Sequence, residues 1–152
     1  VQPTATAYSD AFAYCTAVGT IDQVDARYSG AKVPDNVIAG LRKALNSPSD
    51  MPNDLFVRGS FWRCMGGHVY ACFVGANLPC DAKANTAKTP TQDEIDYCKQ
   101  NPNSDFIPAA VTGHETIYNW KCNKAAPQAG PAVVEVDAQG YQTNIWYQIQ
   151  AP

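Results

Sequence analysis

Apolar residues recur along this chain with two periods, and the clearest stretch runs from Phe61 to Cys80. Two aromatic-rich runs, Phe61-Trp62-Arg63-Cys64-Met65 and His68-Val69-Tyr70-Ala71-Cys72-Phe73, flank Gly66-Gly67, which predicts a β-hairpin whose turn needs positive φ. A two-residue turn places Cys64 opposite Val69 and Cys72 opposite Phe61. Side chains alternate along a strand, so the two cysteines then face opposite sides of the sheet. A three-residue turn would put them on one face but four strand positions apart, roughly 13 Å. A disulfide needs Cα atoms about 4.4–6.8 Å apart. In either register, each cysteine must bond elsewhere.

Helical spacing is clearest after Val33-Pro34, where Val37, Ile38, Leu41 and Leu45 line one face, Arg42 and Lys43 face away, and Asn46-Ser47-Pro48 ends the run. A cap at Ser9-Asp10 and Gly19 beyond the far end predict a short helix over Ala11–Val18, although Phe12, Tyr14, Thr16 and Val18 also alternate as a strand would. Phe56-Val57-Arg58 reads as the entry to the hairpin. Pro79 to Thr91 is a polar connection, and Thr91 with Glu94 forms a capping box opening a helix over Gln92–Gln100. Asp105 to Cys122 reads as a strand pair turning at Thr112-Gly113-His114. Val133–Val136 and Tyr141–Ile149 read as a last hairpin about Asp137-Ala138-Gln139-Gly140. Gly130 falls in a Pro/Ala-rich connector where an extended backbone suffices, so Gly66→Val is expected to damage the fold more than Gly130→Val.

These elements predict an α+β fold: an antiparallel sheet built from hairpins, two or three short flanking helices, and disulfide stabilisation. Trp62-Arg63-Cys64 echoes Trp120-Lys121-Cys122, and Gly67-His68 echoes Gly113-His114. Two hairpins with the same packing task would produce such short matches without duplication.

The 152 residues fit one domain, 1–152, with residues 1–8 as an extended tail. A chain this long can bury a core unaided. Its six cysteines therefore point to an oxidising compartment, the periplasm or the extracellular medium, and to a secreted protein; a start at Val1 suits a processed product. A net charge of -3 and no basic run argue against nucleic acid, and no apolar stretch approaches a membrane span.

Candidate chemistry is thin. Cys64, His68, Cys72 and Cys80 lack the close Cys pairs of a zinc site, so no metal or cofactor is expected. An even cysteine count leaves no spare thiol for nucleophilic catalysis with His68 or His114. Of three glutamates, Glu94 caps a helix and Glu135 faces out of a strand. Only Glu115, beside His114, lacks a structural task, and an exposed hairpin tip offers no burial with which to tune an acid. The expected disulfides are Cys15–Cys64, Cys72–Cys122 and Cys80–Cys98.

What remains is a surplus of rings on strands. Trp146 and Tyr147 are adjacent and must face opposite sides. With Tyr141, Trp120 and nearby amides they are the candidate binding residues. The expectation is a secreted, non-catalytic domain binding a protein or glycan, or serving as a subunit of an extracellular assembly. Its rival is a small hydrolase of cell-envelope polymer using Glu115 with His114 or His68.

Overall fold

A computed structural model describes residues 6–48 and 50–152. The chain forms two compact units. One runs through Cys80 and takes back Ile145–Pro152; the other is Asp81–Asn144. The fold is α+β, with five helices, antiparallel hairpins and three disulfides among the described residues.

The first unit opens with α1, Ala11–Val18. Asp10 caps it, its carboxylate accepting from the Ala13 N–H at 2.9 Å, and Gly19 leaves the helix at φ 79°. α2, Asp35–Ala44, starts after Pro34 and buries Val37, Ile38 and Leu41, the face its periodicity predicts. Arg42 departs from the expectation. Its guanidinium lies 4.5 Å from the Phe56 ring centroid and donates to the Met51 carbonyl and Asn53 Oδ1. Phe56-Val57-Arg58 is not a strand entry but part of a helix, α3, Asn53–Gly59, which Pro52 begins. A proline fixes the φ that a first helical turn needs, and seven residues are too few to show a period.

β1, Ser60–Met65, and β2, His68–Phe73, then form the expected hairpin. Cys64 lies opposite Val69 and Phe61 opposite Cys72, with Gly66 and Gly67 at φ 58° and 82°. β5, Tyr147–Ile149, returns at the far end of the chain to pair with β2, giving the order β1-β2-β5. One face of this sheet, through Trp62, Cys64, Val69, Ala71 and Ile149, packs on α1, α2 and Phe56 as the main core. Gly40 lets α2 approach; a Cβ there would collide with the Ile149 side chain. The tail expected over 1–8 falls partly outside the described residues. Tyr8 is held, its N–H donating to Arg27 O and its carbonyl accepting from Ser29 N–H.

In the second unit α4, Gln92–Gln100, carries the Thr91–Glu94 capping box. The strand pair expected over Asp105–Cys122 is replaced by a short helix, α5, Ala109–Thr112, and one strand, β3, Tyr118–Asn123. The partner of β3 is β4, Ala126–Ala132, which contains two prolines and no β-branched residue. Prolines are tolerated in a strand with one open edge. Asp137–Gly140 does turn, with Gly140 at φ 92° and its N–H donating to Asp137 O at 3.0 Å. The hairpin beyond it shrinks to a bridge between Val136 and Gln142, because β5 belongs to the other sheet.

The disulfides are Cys15–Cys64, Cys72–Cys80 and Cys98–Cys122. Cys15–Cys64 matches the expectation; Cys72–Cys122 and Cys80–Cys98 do not form. After β2 the chain folds back through a 3-10 turn, Gly75–Asn77, which brings Cys80 to a Cα distance of 5.7 Å from Cys72. Cys122 on β3 then meets Cys98 on α4.

Both units follow one plan. Each has a helix bearing Tyr-Cys, a proline-capped second helix preceded by a buried Val33 or Ile107, and a strand bearing Trp-x-Cys. Each closes a disulfide between helix and strand. The register agrees as well. The Cys64 N–H donates to Ile21 O, six residues after Cys15; the Cys122 N–H donates to Ser104 O, six residues after Cys98. The Gly67 N–H donates to Gly19 O, and the Ala125 N–H to Pro102 O, each acceptor four residues past its helix cysteine. The Gly113-His114 part of the sequence echo has no place in this scheme, since Gly113 closes α5.

Candidate binding grooves

Three of the four candidate binding rings are buried. Trp146 is 6 % exposed, with the Arg63 guanidinium 4.5 Å from its ring centroid. Arg63 is itself fully buried and also faces the Tyr70 ring at 5.4 Å. Tyr141 is buried, with the Lys83 ammonium 5.6 Å from its ring. Trp120 is buried in the second unit's core. Tyr147, on β5, is half-buried against the first unit's core. Among the described residues, the large apolar side chains that do reach solvent are Leu55, Phe61, Phe106 and Val133. Alternation along a strand assigns sides, but not what covers each side.

His68 begins β2 and His114 follows α5, both exposed. The backbone carbonyls of His114 and Glu115 accept from the buried Gln142 amide, each at 3.1 Å. Among the described residues, neither histidine side chain is hydrogen-bonded or ion-paired to Glu115. No cluster of three His, Cys, Asp or Glu side chains suited to a metal occurs among them either. Among the described residues, no helix is long and apolar enough to cross a membrane.

Among the described residues, two concavities bear on binding, one in each unit. The first, of about 590 Å³, has the outer face of α2 as one wall, with Ala39, Gly40, Lys43 and Ala44. Its other wall is Gln148, Gln150 and the residues beyond β5. This groove follows from the packing of Gly40 on Ile149, which draws helix and strand together, and from the small side chains beside it. β5 pairs with β2 on one side; its other edge has no strand among the described residues. The sequence signal was present in the small residues Ala39, Gly40 and Ala44 on the polar side of an amphipathic helix. That α2 would flank a strand edge was not legible.

The second concavity, of about 190 Å³, opens beside Trp120 and is bordered by Phe106, His114, Asn119 and Val133. Trp120 donates its indole N–H to Thr116 Oγ1 at 2.9 Å. Phe106 and Val133 are 60 % and 57 % exposed, so this rim presents apolar surface to solvent. Comparison of the chain with protein-family models, curated proteins and solved structures finds no match to any of them.

Proposed function

We propose that this chain is a non-catalytic binding domain of an oxidising, extracytoplasmic compartment, and that it takes a protein partner by an extended segment. The observation that carries the reading is the unpaired edge of β5 beside the α2 groove. An open strand edge offers backbone donors and acceptors in a row, and a segment laid along it gains main-chain hydrogen bonds while alternate side chains enter the groove. Lys43 is the charged residue of that lining, which favours a segment with an acidic side chain at that point. Three disulfides support a secreted location.

The test is selection of random extended peptides against the whole protein, with Ala39→Trp and Ala44→Trp as groove-filling variants. Both positions are exposed, so neither change disturbs the core. Selected peptides should share an acidic position and lose about tenfold or more in affinity on either variant, a typical hot-spot effect. Peptides that bind both variants unchanged would end this reading. A hydrolytic activity on envelope polymer, lost when His68, His114 and Glu115 are all changed to alanine, would replace it with the enzyme.

A further inference from the structure

The edge strands of the two sheets are guarded differently. β4 carries Pro127 and Pro131, and prolines blunt a strand against foreign pairing. β5, Tyr147-Gln148-Ile149, has neither a proline nor a charge, and no strand covers its outer side among the described residues. The groove beside it repeats itself about its middle. Asn36 and Lys43 lie seven positions, or two turns, apart on one wall, with Ala39 and Gly40 between them. Gly40 rests on Ile149, and Gln148 and Gln150 lie on either side of that residue. A two-fold axis over Ala39, Gly40 and Ile149 therefore sets Asn36 against Lys43, Ala39 against Gly40, and Gln148 against Gln150.

We propose that this edge takes β5 of a second copy of the chain, antiparallel, in one sheet of order β1-β2-β5-β5-β2-β1. The inference rests on the reading of β5 as a docking edge and names its partner. Such a pair has its two-fold axis perpendicular to the sheet, so the α2 helices of both copies lie antiparallel on one face. The spacing fits. α2 lies over β2 and β5, which leaves two strand spacings, about 9.6 Å, between the helices. Packed helices lie about 8–10 Å apart according to the side chains between them, and here each offers Ala39, Gly40 and Ala44. The charges fit as well. Asn36 Nδ2 donates to the Asp10 carboxylate at 3.1 Å, so the groove is acidic at that end and basic at Lys43. Antiparallel helices bring each end against its opposite. The acid that suits Lys43 is then Asp10 of the second copy.

The experiment is sedimentation equilibrium of the full chain from about 1 μM to 1 mM, where a monomer–dimer equilibrium should appear. Lys43→Glu sets a carboxylate against Asp10 of the second copy, and Asn36→Lys sets an ammonium against its Lys43. Each variant alone should self-associate about tenfold or more weakly, since the axis repeats the clash. Mixed in equal amounts, the two should recover a one-to-one dimer, because the new acid then faces the new base. Circular dichroism checks that both are folded. Ala39→Trp, at the axis, should also give monomer and serves if a charge variant does not fold. A wild type that is monomeric at every concentration would overturn the second copy as partner. So would variants that self-associate as the wild type does, or a mixture that recovers nothing. A monomer that still selects acidic peptides in the α2–β5 groove would overturn this pairing alone and leave the docking edge standing.

Discussion

The two hairpin turns adopt the same backbone with opposite sequences. Gly66-Gly67 has φ 58° and 82°; Lys124-Ala125 has φ 51° and 68°. The first pair is what such a turn selects. The second disfavours it, since a left-handed residue with a Cβ costs roughly 1–2 kcal/mol. Lys124-Ala125 holds the geometry because its surroundings impose it. Cys122, two residues earlier, is bonded to α4, and the Ala125 N–H is committed to Pro102 O. A turn can therefore be set by its own residues or by the frame around it, and this protein contains one of each.

Breaking the frames should separate the two cases. Replacing Cys15 and Cys64 by alanine opens a 49-residue loop and should cost about 4 kcal/mol; replacing Cys98 and Cys122 opens one of 24 and should cost about 3.5 kcal/mol. Native-state hydrogen exchange should then speed up more at Ala125 than at Gly67, because only the glycine turn retains its own preference. Equal acceleration at both amides would show that the disulfide does not hold the Lys124-Ala125 turn.

Substituting glycines sharpens the same contrast. Gly66→Val forces a β-branched residue to φ 58° and should lower stability by about 2 kcal/mol. Gly130→Val, expected from sequence to be mild, should cost a similar amount, about 2 kcal/mol, for another reason. A Cβ at Gly130 would lie 2.7 Å from the Asn119 carbonyl oxygen, at the irregular pairing of β3 with β4. A thermal melt that leaves Gly130→Val at the wild-type midpoint would deny that close approach. In the opposite direction, Ala125→Gly should stabilise by about 1 kcal/mol by relieving the left-handed strain. Chemical denaturation showing a loss instead would mean that Ala125 is unstrained.

The smallest effect concerns the loop between α1 and α2. Asp25 accepts from the Tyr14 hydroxyl and from Arg27, and the Arg27 guanidinium holds its carboxyl down at about 2, below an ordinary 3.8. A depressed folded value stabilises above the unfolded one and is lost as pH falls through the folded one. The wild type should therefore lose part of its advantage over Asp25→Asn between about pH 4 and pH 2. The pair is exposed, so the difference should be slight. Parallel pH profiles for the two proteins would remove Asp25 from the stability of this loop.

What the sequence made legible is what local residues decide. Asp10 before α1, Thr91 with Glu94 before α4, Gly66-Gly67 and the α2 periodicity all act within a few positions. The elements that escaped are shaped from outside. β4 is a strand because β3 and its disulfide hold a partner in register, not because Ala-Pro-Gln-Ala-Gly-Pro-Ala favours extension. Cys72 found Cys80 through a 3-10 turn that no local signal marks. The candidate rings were legible as aromatic and as alternating, but Arg63 under Trp146 and Tyr70 depends on contacts spread over eighty residues.

The position of β5 has a consequence for how the chain is made. Val69 and Ile149 are neighbours in the sheet, yet the whole of Asp81–Asn144 is synthesised between them. As the chain emerges, β2 leaves the ribosome with one edge bare and waits for Tyr147–Ile149 to cover it. Pairings so distant in sequence are slow to close, and a bare edge is open to foreign strands meanwhile. Cys15–Cys64 and Cys72–Cys80 are both complete once Cys80 is made, so oxidation can fix α1, β1 and β2 in place before β5 is translated.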